Sequence, residues 1–221
     1  DEFIPLTEEE AREIVFDNLS EMTEVTLETA QHEAFYSFET SFDSFGEAKL
    51  EIDQVEGDLA DQFEKVKDVF KDNVSSTYLD DMYYEYMYAI IISNHMDFLH
   101  PGDMGARLQI EDQDEDTFTY SFITLADEAG FAFPRTNYLT LVKEDDDWKI
   151  SNYETVTYEE EPFDLTEDEI AQLGENPPYR DMDYDVEVLD VVEENGDTFI
   201  VYYNKASEDR YIEAINANTS E

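Results

Sequence analysis

The chain has 221 residues, and its 59 aspartates and glutamates against 12 lysines and arginines give a formal net charge of −47. The negative electrostatic field of such a chain repels phosphate backbones and anionic lipid surfaces. It therefore excludes nucleic acid and anionic membranes as partners and favours cationic ones. Hydrophobic residues still make up 41% of the chain and aromatic residues 14%, which indicates a folded core under an acidic shell rather than a disordered tail.

The first segments of the chain predict two helices. Thr7 and Glu10 have the spacing of a capping box, and an apolar face with Ala11 and Leu19 follows. A second helix is predicted over residues 26–45, with Gly46 as its stop. Its apolar stripe at steps of three and four residues contains Leu27, Ala34, Phe35, Phe38, Phe42 and Phe45.

Two more helices are predicted before the strands. The first follows Gly57 and turns Leu59, Phe63, Val66 and Phe70 inward. This helix carries the lysines Lys65, Lys67 and Lys71. We interpret them as salt-bridge partners that offset charge repulsion within an acidic surface, rather than as a site for an anion. The segment from Tyr78 to Ile90 is apolar over a wide arc, which predicts a helix packed on more than one side.

After Pro101 the hydrophobic period changes to two, which predicts strands. The alternating stretches lie at 108–110, 118–122, 138–142 and 148–153. The three aspartates at 145–147 predict a hairpin turn before Trp148. Residues 1–157 therefore predict one domain of the α+β class, in which N-terminal helices pack on a curved antiparallel sheet.

Residues 158–221 predict a small C-terminal α/β-hairpin segment, either a subdomain or an extension docked on the first domain. Thr166 and Glu169 form a second capping box. Asn195-Gly196 between two apolar runs is typical of a tight hairpin. Residues 207–216 predict a terminal helix.

Three stretches carry a resemblance to a known family: residues 6–11, 69–79 and 138–150, the last ending in an acidic turn and Trp-Lys-Ile. The ending resembles the last hairpin of NTF2-like (cystatin-like α+β) domains. The order over residues 6–157 resembles extracytoplasmic modules of Gram-positive cell-surface lipoproteins. It is also similar in layout to the family that inhibits cell-wall DL-endopeptidases.

The resemblance implies a cone between the helices and the curved sheet, and it transfers no catalytic residue. The aromatic and histidine side chains that could line such a cone are Tyr83, Tyr86, His95, Tyr120, Tyr138 and Trp148. Packing in the core explains these aromatics more simply, because a buried tyrosine needs only a partner for its hydroxyl.

Motifs for metal or nucleophilic chemistry are weak in this sequence. Asp112, Asp114 and Asp116 begin like a calcium loop, but Thr117 stands in place of the turn glycine and Ile123 in place of the bidentate glutamate. They remain candidates for weak calcium binding only. Without cysteine, a His-Glu-x-x-His motif, a nucleophile elbow or a glycine-rich phosphate loop, we expect no cofactor.

The acidic shell also bears on location, because counterions screen its self-repulsion in a high-salt cytoplasm or outside a bacterial cell. The longest apolar run, Met87 to Ile92, is too short to span a bilayer. The chain begins with Asp1. A removed export signal, with an N-terminal lipid anchor at its cleavage site, would explain this start, and so would recombinant truncation.

We expect a non-enzymatic module, extracellular at the cell surface, that binds or regulates a protein or cell-wall component. A modulator of a cell-wall enzyme is one version of this expectation. Two alternatives stay open. One is an NTF2-like pocket enzyme of the isomerase or dehydratase type from a high-salt cytoplasm, and the other is a calcium-stabilised structural domain.

Overall fold

The structure is a computed structural model that describes residues 3–33, 35, 44–92, 98–125, 134–172, 186–204 and 212–220. The helices are α1 (Glu8–Ala30), α2 (Phe45–Gln54), α3 (Asp58–Asn73), α4 (Leu79–Ile92) and the short α5 (Glu167–Ala171). Helices α1 to α4 precede the first of two antiparallel sheets and α5 lies between the sheets along the chain, which confirms the predicted α+β class. None of the helices in these ranges is long and apolar enough to cross a membrane.

The strands form one sheet of four and one sheet of three, each in sequential order β1-β2-β3-β4 and β5-β6-β7. They are β1 (Ala106–Gln113), β2 (Thr117–Thr124), β3 (Arg135–Glu144), β4 (Asp147–Thr157), β5 (Val186–Glu194), β6 (Asp197–Asn204) and β7 (Ile212–Asn216). The predicted turn glycine is confirmed at the β5–β6 hairpin. There Asn195 and Gly196 have φ values of 57° and 98°, as a tight primed turn requires.

Two helix predictions are wrong. The boundary between the first two predicted helices is misplaced, because α1 runs without a break from Glu8 to Ala30, and residues 34 and 36–43 of the phenylalanine stripe lie outside the described residues. Gly46 lies in the first turn of α2 and does not end a helix. Ser44 caps this helix, because its side chain accepts the backbone N–H of Glu47 at 3.2 Å. The predicted terminal helix is also wrong, because Ile212–Asn216 pairs with β6 as a strand.

Close packing divides the chain into two units, and the predicted boundary after residue 157 lies inside one of them. The first unit contains Asp1–Arg12, Pro101–Leu139 and Tyr153–Glu221. The second contains Glu13–His100 and Thr140–Asn152.

The second unit packs the helices against the tip of the β3–β4 hairpin. Phe70 is fully buried and contacts Tyr86 edge-to-face, with 5.0 Å between the ring centroids. Val74 forms a parallel bridge with Ile150, and the Ser75 N–H donates to the Ile150 carbonyl at 2.9 Å. The lysines of α3 all have acidic partners, as predicted: Lys65 with Glu28, Lys67 with Asp80 and Lys71 with Asp68.

The first unit joins β1 and β2 to the C-terminal segment through a shared hydrophobic core. Its buried members are Ala106, Ile123, Leu125, Phe163, Leu165, Ile170, Ile200, Tyr202, Ile215 and Ala217. The backbone also joins these segments, since the Leu165 N–H donates to the Ala217 carbonyl at 2.8 Å. This common core favours the docked extension over an independent C-terminal subdomain.

Candidate functional site

The start of α1 is fixed against β1 in the first unit. The predicted capping box is present, because the Glu10 N–H donates to Thr7 Oγ1 at 3.2 Å and the Thr7 N–H donates to Glu10 Oε2 at 2.8 Å. Gln113 accepts the Leu6 N–H at 2.8 Å and donates back to the Leu6 carbonyl at 3.2 Å. The first turn of α1 therefore lies beside β1, with few ways to move independently.

A β-bulge in β1 sets the position of Arg107. The register with β2 runs from Ala106 opposite Ile123 to Gln109 opposite Ser121, so β1 carries one extra residue between them. Arg107 lies in this bulge with a φ of 49°, a left-handed conformation that is uncommon for a residue other than glycine. Bulges of this kind redirect a side chain out of the regular alternation of a strand.

Glu169 of α5 holds the redirected arginine. Arg107 Nε donates to Glu169 Oε1 at 2.6 Å and Nη2 donates to Oε2 at 3.1 Å, a two-pronged pair. Nη2 also donates to the Phe163 carbonyl at 2.9 Å. Burial opposes the charge of Glu169, but hydrogen bonds from Arg107 and Thr166 outweigh it and lower the pKa of this carboxyl.

These elements enclose a half-open groove of about 250 Å³ within the first unit. We name it the arginine groove and define it by its charged and hydroxyl-bearing residues: Glu8, Glu9, Arg12, Arg107, Tyr120 and Glu169. Leu108, Gln109 and Gln172 complete the lining. The chain has only five arginines, and this groove brings together two of them.

Two donors of the arginine groove have no hydrogen-bond partner among the described residues. They are Arg12 Nε and the Tyr120 hydroxyl, and both atoms are buried. The Arg12 side chain is 14% exposed and Tyr120 is 0% exposed. Burial raises the pKa of the Tyr120 hydroxyl, so it remains a proton donor at neutral pH. A buried donor without a partner is costly, on the order of 1–3 kcal/mol.

The carboxylates of the arginine groove are already engaged. Glu9 forms an ion pair with Arg12 one helical turn along α1. Glu8 Oε2 accepts the backbone N–H of Ile110 at 2.8 Å. Together with the pair between Glu169 and Arg107, these contacts leave donors rather than acceptors to be satisfied in the groove.

Of the five predicted cone residues that the structure describes, Tyr120 alone lies in the arginine groove. Tyr83 and Tyr86 lie on α4 in the second unit and pack edge-to-face on Phe70. The Tyr86 hydroxyl donates to the Leu99 carbonyl. These two tyrosines therefore have packing partners in the helical core, as the simpler interpretation expects.

The other three predicted residues are dispersed. Tyr138 is half-buried on β3 in the first unit, where burial and the charges of Glu161 and Glu111 raise the pKa of its hydroxyl. Trp148 is half-buried on β4 in the second unit, and its carbonyl accepts a hydrogen bond from the Asn18 amide at 3.3 Å. His95 lies outside the described residues.

The calcium candidates lie at the exposed end of β1, with Asp112, and in the turn that joins β1 to β2, with Asp114 and Asp116. Asp114 Oδ1 accepts the backbone N–H groups of Asp116 at 3.0 Å and Thr117 at 2.8 Å, and Asp112 accepts the N–H of Gln113 at 3.0 Å. The Asp114 carboxylate therefore closes the turn itself. Within the described ranges, no three histidine, aspartate or glutamate side chains converge as metal ligands.

A second polar cluster in the first unit is buried and satisfied by its own members. Arg135 donates to Asp103 Oδ1 and to Asn137 Oδ1, each at 3.0 Å. Asn137 donates to Thr124 Oγ1 at 2.8 Å and accepts the Tyr153 hydroxyl at 2.9 Å. Because its groups satisfy one another, the cluster pins β2, β3 and β4 together and offers no open donor.

One feature of the sequence points to the arginine groove, although it belongs to no motif. Arginine is scarce in this chain, and Arg12 and Arg107 stand in strongly acidic surroundings. The bulge that brings Arg107 to the groove depends on the pairing of β1 with β2, so no local sequence pattern predicts it.

The fold and the groove define an α+β protein with a polar, arginine-lined cavity in one of its two units. No family model matches the chain, and no curated protein is significantly similar to it.

Proposed function

We propose that this protein is a non-enzymatic binding module that acts outside the cytoplasm, and that the arginine groove holds a small ligand carrying a carboxylate. One observation carries the proposal. Arg12 Nε and the Tyr120 hydroxyl are buried donors without partners in the described structure, both residues line the groove, and a carboxylate is the kind of acceptor that such donors favour.

The size of the groove supports a small ligand. Its volume of about 250 Å³ is close to the lower end of pockets for small molecules, about 300–1,000 Å³. Arg107 is already positioned by Glu169 and by a backbone carbonyl, so its charge is part of a rigid wall. A preorganised wall favours binding, because less side-chain freedom is lost when the ligand arrives.

The engaged state of the carboxylates favours holding a ligand over transferring a proton. A general acid or base needs a titratable group within reach of the substrate. Glu9 and Glu169 are paired with arginines, and Glu8 accepts a backbone N–H. The extracytoplasmic location, the regulation of a cell-wall enzyme and the NTF2-like relationship remain parts of the proposal that rest on the acidic shell and on the sequence resemblance.

Removing the Tyr120 hydroxyl tests the groove. We expect Tyr120→Phe to bind small carboxylates about tenfold more weakly, the ratio that corresponds to ~1.4 kcal/mol for one lost hydrogen bond. The thermal midpoint of the free protein should hold or rise, because a partnerless buried hydroxyl is removed. Ligand-observed NMR with a panel of small carboxylates measures the affinity, and thermal unfolding measures the stability.

The matched control is Tyr158→Phe, which removes a hydroxyl in the same unit from a ring that packs on Phe163 outside the groove. It should leave carboxylate binding unchanged. If no carboxylate binds the native protein, or if both variants bind equally well, the proposed site is wrong.

A further inference from the structure

We infer that the arginine groove selects monoanionic carboxylates, and that Glu169 sets this selection by neutralising Arg107. The ligand then carries one carboxylate and an uncharged remainder. This inference rests on the proposed function and narrows it to one class of ligand. It also gives Glu169 a role in ligand selection besides its contact between α5 and β1.

The fixed charges of the groove leave no surplus of positive charge for a ligand. The described lining has three carboxylates and two guanidinium groups, so its net charge is −1. Each of these carboxylates already has an ion-pair or hydrogen-bond partner. A second carboxylate on the ligand would therefore meet like charges without a guanidinium group of its own, and such a contact is unfavourable.

Glu169 balances the charge of Arg107 within the wall of the groove. Arg107 Nε donates to Glu169 Oε1 at 2.6 Å, and Nη2 is divided between Glu169 Oε2 and the Phe163 carbonyl. Burial opposes the charge of Glu169, but hydrogen bonds from Arg107 and Thr166 lower its pKa, so this carboxyl stays ionised at neutral pH. The positive charge of Arg107 is therefore compensated before any ligand arrives.

The donors that remain fit one carboxylate better than two. The buried groove donors without a partner in the described structure are Arg12 Nε and the Tyr120 hydroxyl. Each supplies a single hydrogen, whereas one carboxylate already offers two acceptor oxygens. A dianion would bring a second carboxylate into the groove with no further buried donor of this kind to receive it.

The charge of the whole chain acts in the same direction. A chain of formal charge −47 repels a dianion about twice as strongly as a monoanion, because the Coulomb energy is proportional to the charge of the ligand. This repulsion extends about 30 Å at 0.01 M salt and about 3 Å at 1 M. The preference for a single charge should therefore be strongest at low salt.

Three ligands of nearly the same shape separate the charges: succinamide, succinamate and succinate. At neutral pH they carry no carboxylate, one carboxylate and two carboxylates. We expect succinamate to bind most tightly at 10 mM salt and succinate to bind about tenfold more weakly, with a smaller gap at 1 M salt because screening weakens the repulsion of the second charge. Ligand-observed NMR and titration calorimetry measure the three affinities.

Glu169→Gln tests the selecting residue, because it keeps the size of the side chain and leaves the charge of Arg107 uncompensated. Relative to succinamate, the variant should bind succinate about threefold more tightly than the native protein does at 10 mM salt. Glu167→Gln is the matched control, because it removes one charge from an exposed position of the same helix outside the groove. It should keep the native ratio of the two affinities.

The outcomes distinguish this inference from the proposed function. If succinate binds the native protein as tightly as succinamate at 10 mM salt, or if Glu169→Gln keeps the native ratio, the selection by Glu169 is wrong and the carboxylate site stands. If succinamide binds as tightly as succinamate, or if neither acid binds, the carboxylate site itself is wrong and the inference falls with it. The comparison on the native protein tests the selection without any variant.

Discussion

Gly105 is the residue at which the chain passes closest to β2 before the bulge of β1. A Cβ atom there would lie 2.8 Å from Leu125 Cγ and 2.9 Å from the Ile123 carbonyl oxygen. Because one of these neighbours is backbone, the strands would have to separate. We expect Gly105→Ala to lower the free energy of unfolding by roughly 1–3 kcal/mol. Each kcal/mol lost should lower the melting temperature by about 2–4 °C.

Gly46→Ala is the control for this prediction. The nearest atom to its added Cβ is Ser44 Oγ at 3.9 Å, and the residue lies in the first turn of α2. Alanine is the better helix former, so the melting temperature should hold or rise. Equal losses in both variants would contradict the close approach at Gly105.

For individual residues, the sequence correctly predicted those features that depend only on residues nearby in the chain. The capping boxes of Thr7 and Thr166 and the turn at Gly196 depend on neighbours within a few residues, and the structure has all three. Arg107 escaped this reasoning because its position depends on a register shift against another strand. The partnerless hydroxyl of Tyr120 likewise depends on what packs around it, which alternation along β2 does not specify.

Among the elements, α1 shows why a helix boundary was misplaced. The second predicted helix begins at residue 26, which places a helix boundary inside α1. In the structure Thr26 Oγ1 donates to the Met22 carbonyl at 2.6 Å, and both residues are fully buried. The hydroxyl is therefore satisfied within the helix, and the apolar face continues past it.

The last strand was missed for the opposite reason. Ile212–Asn216 is too short to reveal a period, and its conformation follows from β6, where Ile200 pairs with Ile215 and Val201 with Ala214. Long-range pairing of this kind overrides a weak local preference for helix. The strands of the first sheet were predicted correctly because their alternation is long and regular.

The docking of α5 supplies a prediction on acid stability. Glu169 has a lowered pKa, so its contribution to stability is full above the unfolded value near 4.5 and is lost as the pH falls through the folded value. Glu169→Gln should lower the free energy of unfolding by about 1–2 kcal/mol at pH 7, because the pair with Arg107 is broken. This difference from the native protein should shrink as the pH falls below about 4.

Melting temperatures of the two proteins between pH 7 and pH 3 measure the effect. Glutamine preserves the capping box with Thr166, so the change reports on the ion pair. Glu167→Gln, an exposed neighbour on the same helix, should follow the native curve throughout. A constant gap between Glu169→Gln and the native protein across this range would contradict the assignment.

For the whole molecule, the net charge of −47 predicts a strong dependence of stability on salt. Self-repulsion destabilises the compact state, and screening relieves it as the Debye length falls from about 30 Å at 0.01 M to about 3 Å at 1 M. We expect the melting temperature to rise steadily over this range. NaCl and KCl should give the same curve, because screening depends on ionic strength. A melting temperature that stays constant would show that the carboxylates are already neutralised by their own contacts.

At the scale of the whole molecule, composition and the order of elements predicted the kind of fold, whereas the grouping of its segments depends on long-range contacts. The aromatic content correctly indicated a folded core, and the order of helices and strands indicated the α+β class. The boundary after residue 157 cuts through a unit whose core joins Ile123 to Phe163 and Ile200. Contacts between residues so far apart in the sequence cannot be predicted from local composition.

The arginine groove also has a consequence for the timing of folding during synthesis. Arg12, Arg107 and Glu169 come from widely separated parts of the sequence, with 157 positions between the first and the last. At ~5–20 residues per second, a ribosome needs about 8–30 s to make that stretch. The last 62 positions of this stretch separate Arg107 from Glu169, so for about 3–12 s the nascent chain carries Arg107 without its carboxylate partner, and the walls of the groove are complete only after α5 has left the exit tunnel.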